Sequence, residues 1–371
     1  MIPLNDLSRL DPELKKQISN KVGPLSISGN YILGENVTAF ERAFAEYVGA
    51  IGCVSVANGT DALVISLRAI GLKAGDVVLN VANAGGYTTV AAGQVGAEIV
   101  FADIQKENLH ASVDDYRQAY EKDKTLGLVP KLLVVTHLFG LVNPQVETIV
   151  RFAQENGMLV LEDCAQAAGA RFDGRHAGTF GDIATISFYP TKNLGASGDA
   201  GAIFSSRADV LENARRLRQY GWSEKYKMDL DGGQNSRMDE IQAAVLIEKL
   251  GHLDSWNARR REIYELYRES ANSNVEFTAA INDESFVAHL VVVRHRGKDA
   301  NEFASHFAMH LVSTGIHYPI ADNRQQISLK YKDVNPTLIT EKEIKRILTI
   351  PMFPEMTQAE VDQVCEALAN A

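Results

Sequence analysis

The sequence predicts an α/β protein: a mostly parallel sheet with helices on both faces, followed by a smaller α+β domain. Three observations predict it. Residues 53–57, 77–81, 98–102, 132–136, 158–162 and 184–188 are short apolar or β-branched runs bounded by turn residues, the pattern of buried strands. Helical patterns lie between them: Val37, Phe40, Phe44 and Tyr47 recur at helical spacing before Gly49, and Val146, Ile149, Val150 and Phe152 before Gly157. Strands that are apolar on both faces and alternate with helices belong to a parallel sheet covered on both sides. The third observation is a change of pattern after Met238, where residues 241–267 read as one long helix rich in Arg and Glu. A strand over 288–294, a helix near 300–312 and a final helix from Thr357 follow. Thr357-Gln358-Ala359-Glu360 is a capping box and places that last start. The expected division is a large domain over residues 1–250 and a small one over 251–371.

The 371 residues suffice for two such domains, and 46% hydrophobic with 23% charged residues is an ordinary globular balance. A formal net charge of −10 repels nucleic acid and anionic membrane, so neither is expected as a partner. Cys53, Cys164 and Cys365 are too few and too scattered for a disulfide framework or a zinc site. The N-terminus does not read as a signal peptide, and no run approaches the length of a membrane span, so the expected location is the cytoplasm.

Three segments carry chemistry. In Ser187-Phe188-Tyr189-Pro190-Thr191-Lys192 a lysine follows an apolar strand and a proline turn. Strand ends in α/β sheets open into the ligand crevice. Desolvation there lowers a lysine pKa and makes the amine a nucleophile toward an aldehyde; a lysine in such a loop is otherwise simply solvated. In Leu161-Glu162-Asp163-Cys164-Ala165-Gln166 an acid ends another strand. Asp163 reads either as a helix N-cap or as the carboxylate that keeps a pyridine nitrogen protonated. In Asn58-Gly59-Thr60-Asp61-Ala62-Leu63 a strand runs through a turn into a helix, whose first amides and Thr60 hydroxyl suit a phosphate. An ordinary capped helix has the same residues.

Together, and in this order, the three segments resemble the DegT/StrS family of nucleotide-sugar aminotransferases, fold-type I enzymes of pyridoxal 5'-phosphate (PLP). The likeness runs from Ser28-Gly29-Asn30-Tyr31-Ile32-Leu33-Gly34 through these motifs to Asn235-Ser236-Arg237-Met238-Asp239-Glu240, His317-Tyr318-Pro319 and Ile350-Pro351-Met352. The resemblance implies that Lys192 is the Schiff-base lysine and proton shuttle, that Asp163 pairs with the pyridinium, and that Gln166 approaches the cofactor's phenolic oxygen. Gly59, Thr60 and Ser187 would hold the phosphate. Asn235 would reach the phosphate of a neighbouring subunit, making the active unit a homodimer with shared sites. Tyr31, Lys225, Tyr226, Arg237, His317 and Tyr318 are the candidate substrate contacts.

Two segments depart from the family pattern. Asn83-Ala84-Gly85-Gly86-Tyr87 puts Tyr87, the candidate to stack on the cofactor ring, about two residues late, a shift that paired glycines could absorb. Asp322-Asn323-Arg324-Gln325-Gln326 stands where the family often has a histidine and then Gln-Pro. The implied reaction moves an amino group from glutamate to a nucleotide-linked keto-6-deoxyhexose. Ser236 after Asn235 resembles the relatives that aminate C3, the C4 group having a tyrosine there, so a dTDP-3-keto sugar is expected. Its small side chain is expected to leave room at the subunit junction. Lys225 and Arg237 are cations for the diphosphate. The other readings are C4 amination of a UDP- or dTDP-4-keto sugar, amination of a cyclitol ketone, a PLP-dependent sugar dehydratase, and a sugar sensor. A dehydratase would carry histidine at position 192, and a sensor would lack Lys192 or Asp163.

Overall fold

The computed structural model describes residues 1–279, 283–331 and 335–371. The chain opens with a strap over residues 1–11, then α1 (Pro12–Leu25) and α2 (Glu35–Val48). Strands β1 (Gly52–Val56), β2 (Val77–Val81), β3 (Glu98–Ala102), β4 (Pro130–Thr136) and β5 (Leu159–Asp163) follow, with α3 (Gly59–Ala69) after β1 and α4 (Tyr87–Val95) after β2. A ribbon of β6 (Arg171–Phe172) and β7 (Arg175–His176) leads to β8 (Ile183–Ser187) and β9 (Gly201–Ser205). The central sheet has the order β1-β9-β8-β5-β4-β2-β3. From β3 to β8 every pairing is parallel, and β9 runs against both of its neighbours, β8 and β1. The expected strands lie where the sequence places them to within two residues. The run 201–205 was not among them, because its Gly-Ala start has little strand propensity.

Each strand feeds two cores. On β4, Leu133 and Val135 pack with Phe40 and Phe44 of α2 on one face, while Leu132 and Val134 pack with Leu63 and Leu67 of α3 on the other. This two-sided burial explains the unbroken apolar runs. Helix α2 ends at Gly49, whose φ of 75° closes the helix in the left-handed region.

Beyond β9 come a hairpin, β10 (Trp222–Glu224) and β11 (Lys227–Met228), and a C-terminal sheet of β12 (Val275–Phe277), β13 (Val291–His295) and β14 (Ile347–Ile350). The long helix expected over 241–267 is two helices, Glu240–Leu250 and Leu253–Ser270, broken at Gly251-His252. Glycine is a weak helix former, and the break lets Leu253 turn inward, where it is fully buried. A separate core joins Tyr264, Tyr267, Val291, Val293, Phe303, Phe307, Leu348 and Val364. Ile2 belongs to it: the strap exchanges backbone hydrogen bonds with Leu311 and Ser313, so the first residues pack with the last hundred. The capping box at Thr357 and Glu360 forms as expected. No helix among the described residues is long and apolar enough to cross a membrane.

Candidate active site

The carboxyl ends of β1, β5 and β8 converge on a cavity of about 600 Å³ between the central sheet, the strap and the C-terminal sheet. Gly59, Thr60, Tyr87, Asp163, Gln166, Ser187, Lys192, His317 and Tyr318 all line it. Nine of the sequence candidates are therefore gathered in one place from five different segments.

The phosphate cradle forms at the start of α3. Asn58 caps the helix by accepting the Asp61 amide at 2.8 Å, which leaves the Gly59 and Thr60 amides to point at the cavity mouth. A Cβ on Gly59 would lie 2.7 Å from the Ser187 Cβ, so only glycine lets the cradle and the Ser187 strand end approach this closely. The donor set, two amides with the hydroxyls of Thr60 and Ser187, fits a phosphate at a helix N-terminus.

Asp163 is buried at the end of β5, where one oxygen accepts the Ala165 amide at 3.0 Å. Burial raises its pKa; that amide and the charge of Lys192 pull it back. Sheet register sets Asp163 between Thr136 of β4 and Thr185 of β8. Both threonine hydroxyls are buried without a partner, so they are available to steady this carboxylate. Lys192 follows the Tyr189-Pro190 turn, which its own amide closes on the Tyr189 carbonyl at 2.8 Å. Burial depresses the Lys192 amine to about 8, partly opposed by Asp163. The pair answers both requirements of a PLP site: an amine that loses its proton far more readily than a solvated lysine and a carboxylate for a protonated ring nitrogen.

Gln166 spans the wall. Its carbonyl oxygen accepts the Phe139 amide at 2.5 Å and its amide donates to the Tyr318 hydroxyl at 3.0 Å, leaving one N–H for the cavity. Tyr87 opens α4 with its ring edge-on to Tyr318, centroids 6.2 Å apart. His317 bonds Thr349 at 2.9 Å, and burial together with Lys192 lowers its pKa, so the imidazole is neutral.

Five candidates stand elsewhere. Tyr31 is exposed on the loop before α2. Lys225 lies over the ring of Tyr226 in the β10–β11 turn, and Tyr226 is 76% exposed. Arg237 stacks on Tyr220, and Asn235 is exposed beside Gln219. None of the five lines this chain's cavity. Ser236 is not at an exposed junction: it is fully buried, and its hydroxyl accepts the Ala57 amide at 3.1 Å.

Sequence reasoning missed Leu4, Asn5, Thr185, His289 and Thr349, which also line the cavity. His289 bonds Asn193 at 2.9 Å and is held neutral by burial. None of them sits in a motif. Thr185 alone carried a signal, as a polar residue inside an apolar strand next to the lysine segment.

A strand-end lysine facing a buried aspartate across a phosphate cradle, on this sheet, defines a fold-type I PLP-dependent enzyme. The chain belongs to the DegT/DnrJ/EryC1/StrS aminotransferase family, whose model matches residues 12–369. It is 38% identical over 371 residues to the dTDP-3-amino-3,6-dideoxy-alpha-D-galactopyranose transaminase of Aneurinibacillus thermoaerophilus, with 99% of each chain covered. Among solved structures it resembles S. venezuelae DesV in complex with a ketimine intermediate, at TM-score 0.91 and 30% identity over 100% of this chain and 98% of that one. It also resembles NtdA of Bacillus subtilis with bound cofactor PMP, at TM-score 0.90 and 26% identity, covering 100% and 84%.

Proposed function

We propose that this chain, as a cytoplasmic homodimer, transfers the amino group of glutamate to C3 of a dTDP-linked 3-keto-6-deoxyhexose. The observation that carries the reading is the Lys192 amine, depressed to about 8 in a cavity it shares with the buried Asp163. The Aneurinibacillus relative supports the sugar and the carbon, because its name is that of a dTDP-3-amino-3,6-dideoxy sugar transaminase. Over the full cycle the amine of glutamate replaces the ketone oxygen of the sugar, and glutamate leaves as 2-oxoglutarate.

Bound in the cavity, PLP supplies an electron sink for the carbanion formed when a substrate C–H proton is removed. The Gly59 and Thr60 amides, with the Thr60 and Ser187 hydroxyls, hold the phosphate and so fix the ring's position. Asp163, fixed by the Ala165 amide, would hold a proton on the ring nitrogen. Lys192 is charged below pH 8 and a free amine above it, so its Nζ can take up the proton that leaves the substrate carbon and give it back at the next step. The free N–H of Gln166 faces the cofactor's phenolic oxygen. His317 and Tyr318, both neutral, wall the sugar side without adding charge.

The exposed Tyr31, Asn235, Lys225 and Tyr226, with the half-buried Arg237, belong to the second half of the site. A two-fold dimer places the same segment of one subunit against the cavity of the other. Lys225 and Arg237 then meet the substrate diphosphate, local cations on a chain of net charge −10. The test offers 3-keto and 4-keto dTDP sugars separately with 15N-glutamate and locates the new C–N bond by NMR. Amination at C3 is expected; amination only at C4 contradicts the regiochemistry.

A further inference from the structure

Asp322 is a fully buried acid that the chemistry above does not use. It opens a short turn, Asp322–Arg324, and its backbone N–H donates to the Ala82 carbonyl at 2.7 Å, just beyond β2. That bond sets the side chain beside the segment leading from β2 to α4. The backbone amides of Ala84, Gly85 and Gly86 lie close enough to hold the carboxyl's pKa down against its burial, yet neither oxygen makes a hydrogen bond of normal geometry to any group and no cation faces it. Gly85 and Gly86 have φ of +85° and +82°, left-handed values that let successive amides turn toward one anion. Helix α4 has no side-chain cap, so its positive end also faces this acid.

The same segment touches the active site on its other side. A Cβ on Gly85 would lie 2.8 Å from the Tyr318 ring, and Tyr87 follows at once at the head of α4. Any shift of residues 84–86 therefore moves both tyrosines that wall the cavity.

We infer that Asp322 is a positioning residue for this tyrosine wall: its carboxylate gathers the Ala84, Gly85 and Gly86 amides and so sets Tyr318 and Tyr87 for the sugar. The inference rests on the proposed reaction only for its kinetic readout. The two segments that depart from the family pattern, residues 83–87 and 322–326, become one device in this structure.

Burial pushes the Asp322 carboxyl up to about 7. The titratable and charged groups on the elements around it are Tyr87, His317, Tyr318, Arg324, Lys330 and Tyr331. Arg324 is committed to Glu341 at 2.7 Å, and Lys330 lies over the Tyr331 ring, so neither compensates the acid. The ionised form gathers the amides, so positioning is complete above pH 7 and lost below it. Stability runs the other way. A carboxyl whose folded pKa is raised contributes stability that is full below its unfolded value, about 4, and lost as pH rises through 7. A merely structural contact would not set function against stability in this manner.

The test compares PLP-loaded wild type with Asp322→Asn. At pH 8 the variant should show a KM for the dTDP-3-keto sugar raised severalfold, with kcat changed less. The wild-type KM should rise between pH 8 and pH 6, and the variant's should stay flat. Tm at pH 8 should be higher in the variant. Hydrogen exchange at Ala84, Gly85 and Gly86 should be faster in the variant at pH 8 and equal in the two proteins at pH 6. Unchanged KM, pH profile and protection would overturn the inference. So would an equal loss at every pH with a lowered Tm. If wild type fails to aminate the sugar, the proposed function fails, and the exchange measurement, which needs no substrate, still decides the role of Asp322.

Discussion

The cavity wall at the carboxyl ends of the strands carries nine of the site residues expected from sequence and the segment from Tyr220 to Arg237 carries four, and the two regions are built in opposite ways. At the strand ends every candidate but the exposed Tyr87 is buried or half-buried, and several are held from more than one side: Gly59 against Ser187, Asp163 between two threonine strands, Gln166 between Phe139 and Tyr318. In the segment, Tyr226 is 76% exposed, and Lys225 and Arg237 rest on aromatic rings of their own neighbourhood. One region is complete within a single chain. The other presents a cluster of functional-looking side chains to solvent. The difference teaches that the cofactor half of the site is preorganised by the fold, whereas the substrate half, in the proposed homodimer, is completed by a second copy.

The largest effect should come from the first region. Lys192→Ala removes the only amine that reaches the cavity among the described lining residues, and transamination and the yellow cofactor band should both vanish. Retention of both in an absorbance and turnover assay would move the chemistry to another residue. Asp163→Asn should still bind the cofactor and lose orders of magnitude in kcat, because a neutral amide no longer holds the ring nitrogen protonated. Near-normal turnover would reduce Asp163 to the acceptor that closes the turn after β5.

Effects in the second region should be smaller and should fall on KM. Arg237→Ala should raise the KM for the nucleotide sugar roughly tenfold, the order expected for one charge-assisted hydrogen bond, and leave the glutamate half-reaction intact. Equal damage to both half-reactions would erase the distinction between the regions. The smallest effect is a rate profile. Lys192 is depressed to about 8, so cofactor loading should speed up as pH rises from 7 to 9 and then level off. A profile still climbing toward pH 10 would mean that the amine is solvated.

How much was legible in the sequence follows the same division. Apolar runs mark the strands because both faces of the sheet are buried, and the motif residues at their ends need only the strand-end rule to be placed together. The antiparallel β9 escaped because Gly201-Ala202 reads as loop, although the close approach of Asn58, 2.5 Å from a Cβ on Gly201, requires glycine there. The helix break at Gly251 was invisible because the charge pattern runs straight across it. His289, Asn5 and Thr349 come to the cavity from the C-terminal sheet and the strap, through contacts distant in sequence that no local pattern encodes. Ser236 is expected from its size to leave room at the subunit junction, but it is fully buried and its hydroxyl is taken by the Ala57 amide. Its side chain acts on the cradle strand from inside.

The most direct test of a site split between two copies is complementation. Lys192→Ala and Asn235→Asp proteins, each nearly inactive alone, are mixed under conditions that exchange subunits. The Asp at position 235 brings a like charge toward the phosphate, whichever subunit holds that phosphate. If Asn235 serves its partner's site, each mixed dimer has one site with both defects and one with neither. Statistical mixing makes half of the dimers mixed, so activity should recover to about one quarter of the wild-type level per site. If Asn235 acts within its own subunit, every site in the mixture carries one defect and no activity returns, which would contradict the account.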